Sequence, residues 1–179
     1  MSRSRAALAA APLVLGAALA SSCGGGSVDP GCSTLGCVPV ATIKVDLPLA
    51  FGEVQKSTIT VCHNGTCLAG SFATLNAPPS PNAGVEIGIA SAPDGGAASF
   101  GTDALVMANT SGALWLQVFW RSNVDDVADG DTYSVTVQDS SGQSVVSFTG
   151  TAMTYDTVFP NGKDCAPTCR HVEFDQHTS

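Results

Sequence analysis

Basic residues are scarce in this chain. Seven lysines and arginines stand against fifteen aspartates and glutamates in 179 residues. That balance argues against nucleic acid, whose phosphates require a basic face, and against electrostatic docking on anionic lipid. Histidine is scarcer still, with His63, His171 and His177 the whole complement. No serine sits in a G-x-S-x-G elbow. No glycine-rich phosphate loop opens a helix, and no segment carries a convincing 3.6-residue apolar period. No apolar run reaches the roughly 20 residues that a membrane-spanning helix needs.

The chain instead begins with an address. Ser2-Arg3-Ser4-Arg5 is basic, and residues 6–20, AALAAAPLVLGAALA, carry no charge. A basic start, a short apolar run and small residues after it read as an export signal. The stretch Leu19-Ala20-Ser21-Ser22-Cys23 resembles the lipobox of bacterial lipoproteins, with the leucine four residues before the cysteine. The resemblance implies that Cys23 is acylated and becomes the mature N-terminus, a stable membrane anchor once it carries two or three chains. By resemblance to lipoproteins of two-membrane bacteria, Gly24 at the next position, in place of Asp, implies the outer membrane. The alternative is an ordinary signal peptide with Cys23 free or disulfide-bonded. Loss of Arg3 and Arg5 with the signal leaves five basic residues against fifteen acidic ones, a net charge near −10. The expected organisation is a signal at 1–22, a Gly-rich tether at 23–39 and one domain at 40–179.

Six further cysteines form three close pairs: Cys32 and Cys37, Cys62 and Cys67, Cys165 and Cys169. An even number in an exported chain reads as disulfides, and local pairing is the first expectation. A tie from Cys32 or Cys37 to the C-terminal loop stays open. The middle pair has a geometric basis. Asn64-Gly65 is a preferred two-residue type I′ hairpin loop, since both positions take positive φ. His63 and Thr66 then close the hairpin. Cys62 and Cys67 become the next, non-hydrogen-bonded pair, about 4.5 Å apart at Cα, within disulfide reach. A zinc site built from these cysteines and the histidines would compete, but the spacings lack the C-x₂-C knuckle. No cofactor or metal is expected.

Strands are expected near 41–48, 58–63, 66–74, 85–90, 113–121, 132–139, 144–150, 151–157 and 170–174, with turn clusters such as NAPPSPNAG, SAPDGGAAS, ANTSG and DSSGQ between them. Many short strands separated by turns point to an antiparallel sandwich or barrel. The segment DGDTYSVTVQDSSGQSVVSFTG resembles the last two strands of bacterial immunoglobulin-like domains. There a tyrosine hydroxyl ties down an Asp-bearing turn, and Asp129 and Tyr133 hold those places here. The resemblance implies an all-β, antiparallel immunoglobulin-like β-sandwich, stapled by local disulfides.

Chemistry is thin. His63 closes a tight turn, where a solvated role is expected. Asp125, Asp126, Asp129 and Asp131 cluster on one loop as turn formers, with Ca²⁺ binding the sharper alternative. In ALWLQVFWR, Leu114, Leu116, Val118 and Trp120 share one strand face, and Trp115, Gln117, Phe119 and Arg121 the other. The first set belongs in a core. The second mixes two aromatics with an amide and a guanidinium, as partner and sugar-stacking surfaces do. Cover by the tether or the NAPPSPNAG loop would turn it instead into a second small core. The resulting expectation is a lipid-anchored envelope protein without enzymatic activity, with a structural role or a protein or carbohydrate ligand. Its rivals are an envelope hydrolase and a protease-inhibitor-like module displaying KDCAPTC.

Overall fold

The computed structural model describes residues 38–81, 83–90, 101–165 and 168–178. Cys23, Cys32, Cys37, the signal, most of the tether and the SAPDGGAAS turn lie outside the described residues.

Among the described residues ten strands follow one another: β1 (Val40–Leu47), β2 (Thr58–His63), β3 (Thr66–Ser71), β4 (Val85–Ala90), β5 (Thr102–Ala108), β6 (Leu114–Arg121), β7 (Asp131–Gln138), β8 (Ser144–Ala152), β9 (Asp156–Val158) and β10 (Cys169–Gln176). They form one sheet in the order β8-β7-β2-β3-β4-β5-β6-β1-β10-β9. All pairs are antiparallel except β1 with β10, which is parallel, so the sheet is mixed and not wholly antiparallel as expected. A parallel pair needs a long crossover, and here the rest of the domain provides it. Among the described residues two 3₁₀ turns, Phe72–Thr74 and Val124–Asp126, and one α-helical turn, α1 (Phe51–Val54), interrupt the strands. The α1 turn buries Val54 and is closed by Glu53, whose carboxylate accepts from the Ala50 amide at 3.1 Å.

Local chemistry builds the tight turns. Asn64 and Gly65 both have positive φ, at 49° and 84°, and the β2–β3 ladder closes with His63 opposite Thr66 and Cys62 opposite Cys67. The β5–β6 and β7–β8 turns use one device twice. Asn109 Oδ1 accepts from the Ser111 amide, the Ser111 hydroxyl and the Ala113 amide. Asp139 Oδ1 accepts from the Ser141 amide, the Ser141 hydroxyl and the Gln143 amide. These short side chains replace backbone partners that a turn would leave unmet.

Alternation then decides the inside. Along β6 every second residue is buried, from Leu114 to Trp120, and β5 and β7 keep the same period. Strands distant in the sheet order meet through these buried faces. His63 of β2 lies 5.6 Å from Trp120 of β6, ring centre to ring centre, and Phe148 of β8 lies 5.4 Å from Phe174 of β10. A Cβ at Gly150 would come within 2.8 Å of the Phe174 ring, so only glycine admits that approach.

Candidate functional site

The outer face of β6 places Trp115, Gln117, Phe119 and Arg121 together, each half-buried, while the opposite face of the strand is buried. β1 and β5 flank it, so Trp115 lies between Asp46 and Met107, Gln117 between Lys44 and Leu105, and Phe119 between Thr42 and Asp103. The expected two-faced strand is therefore present. Arg121 pairs with Asp103, and its guanidinium carbon stands 6.0 Å from the centre of the Phe119 ring. At the other end, His177 stacks on Trp115, with centroids 4.7 Å apart and planes inclined by 17°. Asp46 holds the histidine in place, Oδ1 lying 2.5 Å from His177 Nδ1 and Oδ2 accepting from the Thr178 hydroxyl at 2.6 Å. The Thr178 hydroxyl, and His177 after it, hold the Asp46 carboxyl below its usual range. Lys44 lies between Glu173 at 2.6 Å and Asp175 at 3.3 Å, which raise its ammonium above the usual range.

The NAPPSPNAG loop goes elsewhere. Its Pro78, Pro79 and Pro81 border a groove of about 350 Å³ with Phe51, Asn109 and Leu114, and Trp115 does not line it. Among the described residues, the partner stacked on Trp115 is His177, near the end of the chain.

A second cluster lies inside and is one that sequence reasoning missed. His63 is 9% exposed and Asp131 6%, with His63 Nε2 3.1 Å from Asp131 Oδ2. The same carboxylate oxygen accepts from the Tyr155 hydroxyl at 2.8 Å and the Ala128 amide at 2.9 Å. The Tyr133 and Tyr155 hydroxyls are 2.6 Å apart. Tyr155 spends its one proton on Asp131, so Tyr133 donates to Tyr155. Asn64 completes the set, giving its amide to Asp131 Oδ1 at 2.8 Å and accepting the Thr132 amide at 2.8 Å.

Burial drives the Asp131 carboxyl upward, but the bonds from Asn64, Ala128, Tyr155 and His63 outweigh it and hold it at about 2. Burial pushes the Tyr133 hydroxyl up to about 12, and burial, with the Tyr133 hydroxyl and the Asp131 carboxylate bonded to it, raises Tyr155 well beyond the ordinary phenol range. These are groups fixed in one protonation state near neutrality, which suits a lock more than a proton-transfer centre. The signal for the cluster was the alternation itself. His63 is in phase with Ile59 and Val61, and Asp131 with Tyr133, Val135 and Val137, all of them inward positions.

Two expectations change here. The Tyr133 hydroxyl turns to Tyr155 and not back to its own turn. Asp131 departs from the solvated turn role expected of the acidic loop. Asp129 pairs with Arg170 at 2.7 Å, Asp126 accepts from Asn123 at 2.6 Å, and Asp131 faces inward. Arg170 also donates to the Val127 carbonyl at 2.9 Å and lies 5.0 Å over the Tyr155 ring. Among the described residues no group of three or more His, Cys, Asp or Glu is placed to hold a metal. Cys62 and Cys67 are bonded across the hairpin with Cα atoms 4.0 Å apart, and Cys165 and Cys169 are each disulfide-bonded. Compared with known protein families, with curated proteins and with solved structures, the chain matches none.

Proposed function

We propose that this chain is an exported protein, anchored in the outer membrane through acylated Cys23, whose domain has an immunoglobulin-like sandwich arrangement and binds an envelope ligand through the outer face of β6. The ligand is a protein or a carbohydrate of the envelope. The carrying observation is the half-exposed row of Trp115, Gln117, Phe119 and Arg121 on a strand whose other face is buried. Flat aromatic rings beside hydrogen-bonding side chains offer large contact area with little conformational entropy to lose. A strand held by a buried core presents them with their spacing already set. The facing contacts His63–Trp120 and Phe148–Phe174 support the sandwich arrangement. The LASSC stretch and the tether at 23–39 support the anchor.

The experiment has two arms. Mass spectrometry of the mature chain reads the N-terminus, expected to be an acylated Cys23. Immobilised envelope polysaccharides and envelope protein fractions are then tested with wild-type and Trp115→Ala chains. Saturable binding that the substitution removes supports the reading, and the arm that binds identifies the ligand class.

A further inference from the structure

The two ends of the sheet are treated differently. β9 at one end has three residues, all exposed, and carries Asp156. β8 at the other end runs for nine residues, SVVSFTGTA, without a charge or a proline. Exposed edges are ordinarily blunted by shortness, charge or proline, because an open row of backbone groups is a template for another strand. β9 follows that rule and β8 does not.

The hydrogen-bonding phase says which residues of β8 face outward. The Ala152 carbonyl accepts from Gly130, just before β7, at 2.7 Å. Ala152 therefore points its backbone toward β7, and antiparallel alternation sends Gly150 and Phe148 the same way. Ser147, Thr149 and Thr151 turn their backbone groups to the other side. There, among the described residues, no strand follows. Thr151 spends its carbonyl locally on the Met153 amide at 3.0 Å, which marks where the free stretch stops. The side chains of all three are exposed on the outer face.

We infer that β8 is a self-pairing edge, joining a second copy of this chain antiparallel about a two-fold axis through Thr149. Charge selects this occupant. The molecule is strongly acidic, and an uncharged edge lets two identical acidic copies approach without setting carboxylate against carboxylate. Register follows from the phase. With Thr149 opposite its own copy, Ser147 lies opposite Thr151, so outward backbone groups meet outward backbone groups. The Thr149 pair exchanges two bonds and each Ser147–Thr151 pair makes one, about four in all. Threonine and serine hydroxyls then face each other across the seam, a favourable cross-strand pairing. On the inner side Phe148 lies opposite Gly150 of the second copy, so no Cβ stands across the seam there, and the Phe148 and Phe174 rings that cover each Gly150 belong to its own copy. A two-fold interface of this kind closes on itself and gives a dimer, not a fibre. This pairing does not depend on the Trp115 face.

Sedimentation of the full chain in density-matched detergent tests it, using Thr149→Lys, Thr149→Glu and Thr60→Lys. Thr60 lies on β2, two strands in from the edge, and serves as the control for charge on this half of the sheet. The wild type is expected to dimerise with rising concentration. Thr149→Lys and Thr149→Glu alone should each weaken the dimer at least tenfold. An equimolar mixture of the two should restore it as a heterodimer, and Thr60→Lys should leave it unchanged. Melting curves confirm that each variant is folded. A wild type that stays monomeric, a dimer indifferent to Thr149→Lys, or a mixture that fails to recover would each overturn the inference.

Discussion

Asn64 and Asp131 are 67 residues apart in sequence and are joined by a 2.8 Å hydrogen bond from the amide of one to the carboxylate of the other. The bond ties the tip of the β2–β3 hairpin to the first residue of β7. Asn64 thus does two things: it accepts the positive φ of the turn, and it secures the neighbouring strand. The two roles separate by substitution. Asn64→Gly keeps the φ but leaves Asp131 and the Thr132 amide without their partner, a loss of about 1–2 kcal/mol. Asn64→Ala adds left-handed backbone strain and should lose about 1 kcal/mol more. Chemical denaturation of the two variants measures the difference, and equal losses would remove the backbone role.

Acid should unfold the protein through the same carboxylate. Asp131 is held at about 2 in the folded chain against an ordinary 3.8. A depressed carboxyl contributes stability that is complete above the unfolded value and disappears as pH falls from about 4 toward 2. A shift of this size corresponds to about 2 kcal/mol. Stability measured across that window should fall steeply in the wild type and less steeply in Asp131→Asn. Parallel curves would place the acid sensitivity elsewhere.

The chain has only two tyrosines, and both belong to the buried chain of hydroxyls. Phenolate absorbance should therefore show no ionisation near pH 10 while the protein is folded. It should rise near 12 or on unfolding, since raised phenol values favour the folded state below pH 10 and lose that contribution as pH climbs past it. Tyr155→Phe breaks the chain in the middle, and leaving two buried groups short of a partner should destabilise by about 1–3 kcal/mol. A tyrosine titrating at its ordinary value would contradict the burial.

The disulfide across the hairpin closes a very short loop, so its loss should fall at the low end of the range for disulfides. Replacing Cys62 and Cys67 together by serine should lower stability by about 2 kcal/mol. The Asn64-Gly65 turn and the pairing of β2 with β7 keep the register without it. Non-reducing peptide mapping should recover both cysteines in one linked species. Recovery of Cys62 bonded to Cys165 or Cys169 would contradict the hairpin geometry.

Much of this architecture is legible in short stretches. VCHNGTC specifies a hairpin because turn chemistry and cysteine spacing agree, and ALWLQVFWR specifies a two-faced strand because its alternation is unbroken. β5 is not legible in the same way. TDALVMA carries Ala, Leu and Met, which favour helix over strand, and Leu105 and Met107 give its outer face apolar residues too. Residues 144–157 read as two strands because Gly150 and Thr151 resemble a break, yet β8 runs on to Ala152 since the glycine makes room for Phe174. The parallel pairing of the first strand with the last depends on the whole chain and leaves no local mark. His63 reads as a solvated turn residue by its neighbours in sequence. Its phase with Ile59 and Val61 puts it inside instead.

Trp115 and Trp120 provide the most direct test of the binding face, because they lie five residues apart on opposite faces of one strand. Each is changed to alanine, and both melting curves and binding to envelope polysaccharide and protein fractions are measured. Trp120 is buried, and its loss should cost about 3–5 kcal/mol. Trp115 is half-buried against His177, so its replacement should leave the chain folded with only a modest loss of stability while abolishing capture of the ligand. If Trp115→Ala destabilises the chain as much as Trp120→Ala, or leaves binding intact, the outer face of β6 is a structural surface and the proposed binding role fails.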